Sequence, residues 1–196
     1  MSKGYYERRL VRLGDFEYLV DDEDRTCWIY SGHSGGARIY HVPDSVIINQ
    51  HIYSITGIGL RGYITDKDRF IEELFLPDSC LFFDELSFIK APVKKLHIGK
   101  GLLYYDPWSL KNAASDLSLE IHPDNPELKM SDDGHFVLSK DGKRLFALIH
   151  DIEEASVPAG VETICRLSVS CKKNLRILHL PQSFNEIEDE ALLDTF

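Results

Sequence analysis

The chain has 196 residues, of which 43% are hydrophobic and 28% are charged, and this composition predicts a folded globular protein with a sizeable core. The formal net charge of −10 argues against a nucleic-acid partner, because contacts to phosphates draw on lysine and arginine. No run of about 18 apolar residues occurs, so insertion into a membrane is not expected.

Residues 1–36 differ from the rest of the chain and predict an N-terminal β-hairpin cap. An alternating strand at 16–20 is followed by an acidic turn at 21–24 and a second β-rich run at 27–30. A glycine- and serine-rich connector occupies 31–36. A stack of repeats exposes the apolar face of its first unit, and we expect this hairpin to cover that face.

Residues 37–196 contain a short strand that recurs six times, each time followed by a proline, glycine or His-Pro turn. The intervals between the turn residues are 34, 22, 24, 35 and 23 residues, so a unit of about 23 residues is visible three times and two units carry insertions. This period is typical of leucine-rich repeats. The predicted strands are 39–42, 73–76, 95–98, 118–121, 154–157 and 177–180.

Alternate residues of a strand point to opposite faces, so each strand should turn two side chains to the core. The predicted inward set is Tyr40, Val42, Leu74, Leu76, Leu96, Ile98, Leu119, Ile121, Ala155, Val157, Leu178 and Leu180. A second apolar ridge, including Ile187 and Leu192 in the last unit, should close the other side of each coil. The larger insertion, at about 126–150, contains Asp141-Gly142 between two apolar runs and predicts a β-hairpin.

The phrase Pro-Asp-Ser-Val at 43–46 followed by Ile-Gly-Leu-Arg-Gly-Tyr at 58–63 resembles the BspA-like (treponemal type) leucine-rich repeat family, and 187–192 follows the same pattern. The resemblance implies an α/β-type right-handed solenoid of about six coils, mostly strands with short irregular or 3-10 segments, in one structural domain. It also implies a bacterial protein that binds other proteins or host-matrix components. The family offers no catalytic residues to carry over.

The outward residues of the six strands form two rows. One row is Ile39, Glu73, Lys95, Ser118, Glu154 and Ile177, and the other is His41, Phe75, His97, Glu120, Ser156 and His179. Repeat solenoids bind partners on their extended concave face, which makes the second row the better candidate. The candidate binding residues are His41, Phe75, Lys95, His97, Glu120, Ser156 and His179.

The favoured function is therefore a non-catalytic interaction or scaffold module with a protein partner of unknown identity. The alternative is a bacterial surface adhesin for a host matrix protein or a glycan, although a glycan binder should display exposed aromatic rings and only Phe75 qualifies. A remote alternative is an enzyme that uses His97 and Glu120 as an acid–base pair. No phosphate loop, nucleophile elbow or zinc motif occurs, so no cofactor, metal or catalytic residue is predicted.

Two expectations concern the ends of the chain. The N-terminus lacks the apolar core of a secretory signal, which predicts a cytoplasmic protein; a leader removed earlier would make it a secreted or surface protein. The chain ends at Phe196 within the last repeat and leaves strand 177–180 as an unpaired edge. Such edges pair with other chains, so two copies are expected to form a dimer there.

Overall fold

The computed structural model describes residues 7–32, 37–58, 71–83, 93–105 and 117–195, and none of these forms an α-helix. The described residues build eighteen strands in four sheets, and they include no helix long and apolar enough to cross a membrane. Parts of two predicted features lie outside the described residues. They are residues 33–36 of the connector and residues 59–63 of the phrase Ile-Gly-Leu-Arg-Gly-Tyr.

Sheet A combines an antiparallel meander with a parallel ladder. The meander consists of β1 (Arg9–Leu13), β2 (Phe16–Asp21) and β3 (Thr26–Gly32). The parallel part continues from β3 through β6 (His51–Ile58), β8 (Phe82–Phe83) and β10 (Tyr104–Tyr105), and β5 (Ser45–Ile48) forms a hairpin with β6. The predicted hairpin residues are in β2 and β3. Strand β1 is an addition to the prediction, and it has no buried face: four of its five residues are exposed and one is partly buried.

Sheet B is parallel, and its buried residues share the first hydrophobic core with those of sheet A. Its strands, in spatial order, are β4 (Ile39–His41), β7 (Ile71–Phe75), β9 (Val93–Ile98) and β11 (Ser118–Ile121). Sheet D has only two parallel strands, β15 (Glu154–Ser156) and β17 (Ile177–His179). The register within each sheet reproduces the strand alignment read from the sequence, but β11 and β15 do not pair.

Sheet C repeats the plan of sheet A. It begins with an antiparallel meander of β12 (Leu128–Met130), β13 (Phe136–Ser139) and β14 (Arg144–Leu148). A parallel ladder continues from β14 through β16 (Thr163–Ile164) and β18 (Glu186–Ile187). The segment expected to hold an inserted hairpin therefore forms three strands that start a second set of coils.

The meander of sheet C lies between two separate hydrophobic cores. Val137 packs into the first core, with residues of sheets A and B, whereas its neighbours Phe136 and Leu138 pack into the second core, with residues of β15 and β16. In the same way, Leu128 packs into the first core and Leu145 packs into the second core. Because successive side chains of a strand point to opposite faces, one layer of strands seals both cores.

Asn125 joins the first set of coils to this meander. Its side chain is fully buried and its Nδ2 donates to the carbonyl oxygens of Gly99 (3.0 Å) and Leu102 (2.9 Å). Its Oδ1 accepts hydrogen bonds from the backbone N–H groups of Glu127 (3.0 Å) and Leu128 (2.8 Å). One buried amide thus satisfies four backbone groups at the point where the chain leaves sheet B.

Two residues predicted to face the core are exposed. Leu180 is 48% exposed and Ile187 is 47% exposed, whereas the corresponding residues of inner coils, such as Ile98 and Ile164, are buried. Both belong to the last coil of the described chain, which has a neighbour on one flank only. The inward prediction is wrong for these two residues because burial in a solenoid comes from the neighbouring coil, and not from the alternation alone.

Candidate functional site

The outer face of sheet B carries a column of three stacked rings. The ring centroids of His41 and Phe75 are 4.2 Å apart and their planes are inclined by 12°. Those of Phe75 and His97 are 3.8 Å apart and inclined by 6°. The register places these three residues on adjacent strands, which in a sheet are about 4.8 Å apart, so planar side chains at one register position stack face to face.

A polar network continues the column towards β11. His97 Nε2 lies 2.7 Å from Oε2 of Glu73, and His97 Nδ1 lies 3.3 Å from Oε2 of Glu120. Lys95 Nζ lies 2.7 Å from the same Glu120 oxygen. The hydrogen bond between Lys95 and Glu120 raises the pKa of the lysine and lowers the pKa of the carboxyl group. Side chains from three strands therefore hold one another in place, and 17% of the His97 side chain remains exposed.

Ser156 and His179 are in sheet D and are not part of this column. His179 Nε2 lies 2.6 Å from Oε1 of Glu154. The same diagonal contact links Glu73 to His97 in sheet B. In both cases a glutamate of the first outward row contacts a histidine of the second outward row on the neighbouring strand. The structure thus divides the predicted row into four residues in sheet B and two in sheet D.

The alternation of side chains assigns Glu73 and Glu154 to the other row and does not predict their contact with the histidines. The signal was present as a separation of 24 residues between Glu73 and His97 and 25 residues between Glu154 and His179. These separations are slightly longer than the repeat unit, because the contact joins different positions on neighbouring strands.

The described residues offer little for catalysis. No group of three metal-ligating side chains occurs among them, and the hydrogen bonds of His97 go to carboxylates, not to a hydroxyl or thiol. Cys27 and Cys80 are buried, and burial raises the pKa of each thiol to about 12, which makes them poor nucleophiles.

Comparisons with known proteins give structural similarity only. No family model matches the chain, and no curated protein matches it. A leucine-rich cell surface protein from Faecalibacterium prausnitzii is 12% identical with a TM-score of 0.45, over 94% of this chain and 73% of that one. The pneumococcal vaccine antigen PcpA is 12% identical with a TM-score of 0.40, over 96% and 68%. A leucine-rich repeat protein from Bacteroides ovatus is 14% identical with a TM-score of 0.46, over 91% and 42%.

Proposed function

We propose that this chain is a non-catalytic interaction module that binds a partner protein on the outer face of sheet B. The observation that supports this function is the ordered column of His41, Phe75 and His97 with its network of Glu73 and Glu120. Side chains that are already held in one arrangement lose little conformational freedom on binding, which favours affinity. Energetically important residues in interfaces are typically well packed by their neighbours, as the rings of this column are.

The charge of this face favours a cationic segment of the partner. Glu73 and Glu120 place two carboxylates on the face, and the ammonium of Lys95 faces Glu120. The chain as a whole carries a formal charge of −10. Charge complementarity mainly increases the rate of association, so binding should weaken as the salt concentration rises.

The glycan alternative receives less support from the geometry. A sugar packs on an open ring face, and Phe75 is covered on one face by His41 and on the other by His97. The enzyme alternative lacks a nucleophile beside His97 among the described residues. The adhesin alternative with a host matrix protein is a special case of the proposed function, in which the partner comes from the extracellular matrix.

Site-specific photo-crosslinking tests the proposal. A photoreactive phenylalanine analogue replaces Phe75 on sheet B or, as the matched control, Ile47, an exposed residue of the β5–β6 hairpin. Both proteins are exposed to native cell lysate and to extracellular matrix extract. We expect a partner that crosslinks from position 75 but not from position 47.

The purified partner is then titrated with the native chain and with a Phe75→Ala, His97→Ala double variant. The double variant should bind about 5- to 150-fold more weakly, because two ring contacts, each worth about 0.5–1.5 kcal/mol, contribute about 1–3 kcal/mol together. A partner that crosslinks equally from both positions, or that binds the double variant with unchanged affinity, would refute the use of this face.

We also infer that the chain is a BspA-like leucine-rich repeat solenoid, with residues 1–36 as a cap and 37–196 as the repeats. The repeated plan of sheets A and C supports this inference, since each begins with a three-stranded meander and continues as a parallel ladder. In each sheet, residues of the meander pack into an adjacent hydrophobic core, which is what we expect of a cap on a solenoid. A deletion of residues 1–36 that leaves a soluble, cooperatively folded chain would contradict the role of a cap.

A further inference from the structure

A pair of histidines connects the two sets of coils. His150 lies between β14 and β15, and its Nε2 donates to the carbonyl oxygen of Leu117 (2.9 Å), which directly precedes β11. On its other side, Nδ1 of His150 lies 2.9 Å from Nδ1 of His135, which precedes β13. The two rings are nearly perpendicular, with centroids 5.0 Å apart and an angle of 88°. This contact bridges the gap between sheets B and D, where β11 and β15 do not pair.

The hydrogen bonds determine where the protons are. A carbonyl oxygen only accepts, so Nε2 of His150 carries a proton and, in the neutral ring, Nδ1 is the acceptor. Nδ1 of His135 must then donate to it. The contact holds one proton between the two nitrogens. If both rings are fully protonated, two N–H groups face each other at a distance that permits only one.

The surroundings of His150 favour its neutral form. Burial is the main cause that lowers its pKa, followed by the nearby His135. Lys172 adds to this effect from the loop after β16, where its Nζ donates to the carbonyl oxygen of Ile149 (2.8 Å). Two contacts raise the pKa of His150 without reversing this effect: the hydrogen bond to the carbonyl oxygen of Leu117, and Asp133 in the turn before β13, whose Oδ1 also accepts from the backbone N–H of His135.

We propose that the His135–His150 pair is a pH-sensitive joint in the second set of coils, beside its contact with Leu117 of the first set, closed when the pair holds one shared proton and opened when both rings are protonated. Opening separates His135 from His150 and therefore loosens the turn before β13 from the segment after β14, whereas Nε2 of a protonated His150 still donates to Leu117. The inference does not depend on what binds to sheet B. The pKa of His150 is lower in the folded chain than the ordinary histidine value of about 6.5. The closed form is therefore fully favoured above about pH 6.5 and loses that advantage as the pH falls below this value.

Hydrogen exchange with mass spectrometry tests the joint. The reporter is the amide of Ile149, which donates to the carbonyl oxygen of His135 (2.8 Å). Protection is measured at pH 7.5 and 5.5 and corrected for the intrinsic exchange rate. In the native chain we expect protection around residue 149 to fall at pH 5.5. The loss should be at most about tenfold per pH unit for each proton that the open form takes up. Peptides from β2 and β3 should keep their protection.

His150→Gln supplies the decisive comparison. The glutamine amide has a donor for Leu117 and an acceptor for His135 but does not titrate, so protection around residue 149 should no longer depend on pH. His51→Gln is the matched control, because His51 is exposed at the turn of the β5–β6 hairpin, and it should keep the pH dependence of the native chain.

Equal protection of the native chain at both pH values would overturn the proposal, as would the same loss at pH 5.5 in His150→Gln. If His150→Gln does not fold, nuclear magnetic resonance titration of the native imidazoles decides the question. The joint requires that His150 titrates below free histidine and that its titration changes in His135→Asn. Titration of His150 at the value of free histidine, unchanged in His135→Asn, would equally refute it.

Discussion

Removing the side chain amide of Asn125 should destabilise the whole chain. The amide is completely buried and satisfies two carbonyl oxygens in one coil and two backbone N–H groups at the start of β12. Asn125→Ala leaves these four groups without their partner, and the hydrogen bonds to two of them, the carbonyl oxygen of Leu102 and the N–H of Leu128, are buried. The substitution also removes the hydrogen bonds that attach the meander of sheet C to the first set of coils.

The expected loss follows from these four hydrogen bonds. A buried polar group without a partner costs about 1–3 kcal/mol, and water that enters the vacated space recovers part of this cost. We therefore expect the free energy of unfolding to fall by about 3–5 kcal/mol. For a chain of this size, 1 kcal/mol corresponds to roughly 2–4 °C, so Tm should fall by about 6–20 °C.

Urea denaturation followed by circular dichroism measures this loss. The matched control is Asn174→Ala, because Asn174 is exposed and its side chain makes only a weak contact, from Nδ2 to the carbonyl oxygen of Asp151 at 3.4 Å. The control should change stability by no more than about 0.5 kcal/mol, as surface substitutions do. A loss below 1 kcal/mol for Asn125→Ala, or equal losses in the two variants, would show that the buried amide is not the connection described above.

Three further predictions concern other parts of the chain. Burial lowers the pKa of Lys172 to about 8, so the stability of the native chain should increase as the pH rises from 7.5 to 9.5, and Lys172→Met should remove this increase in urea denaturation. Gly101→Ala should cost about 1–3 kcal/mol in the same assay, because a Cβ there would lie 1.9 Å from the carbonyl oxygen of Asp78. Pairing of two copies through the edge strand β17 stays a prediction. Light scattering should give twice 22.4 kDa for the native chain and 22.4 kDa for Ile177→Lys, and a monomer mass for both at all concentrations would contradict it.

The repeating unit and its register can be read directly from the amino-acid pattern. Short strands that end at proline or glycine, with apolar residues at alternate positions, align Glu73 with Lys95 and Phe75 with His97, as the structure does. This information is local, because the side chains of a strand alternate between its faces whatever lies beyond them. It also predicted that Leu74 and Leu96 are buried, which is confirmed.

The number of continuous sheets that the repeats form depends on tertiary packing. The apolar pattern of residues 126–150 was compatible with an inserted hairpin, but whether one or both faces of those strands are covered depends on what packs against them. Here Val137 faces one core and Phe136 the other, so the segment separates two sets of coils and divides the outward row. The contacts of His97 with Glu73 and of His135 with His150 likewise depend on the placement of side chains from different strands and turns, which alternation and repeat length do not specify.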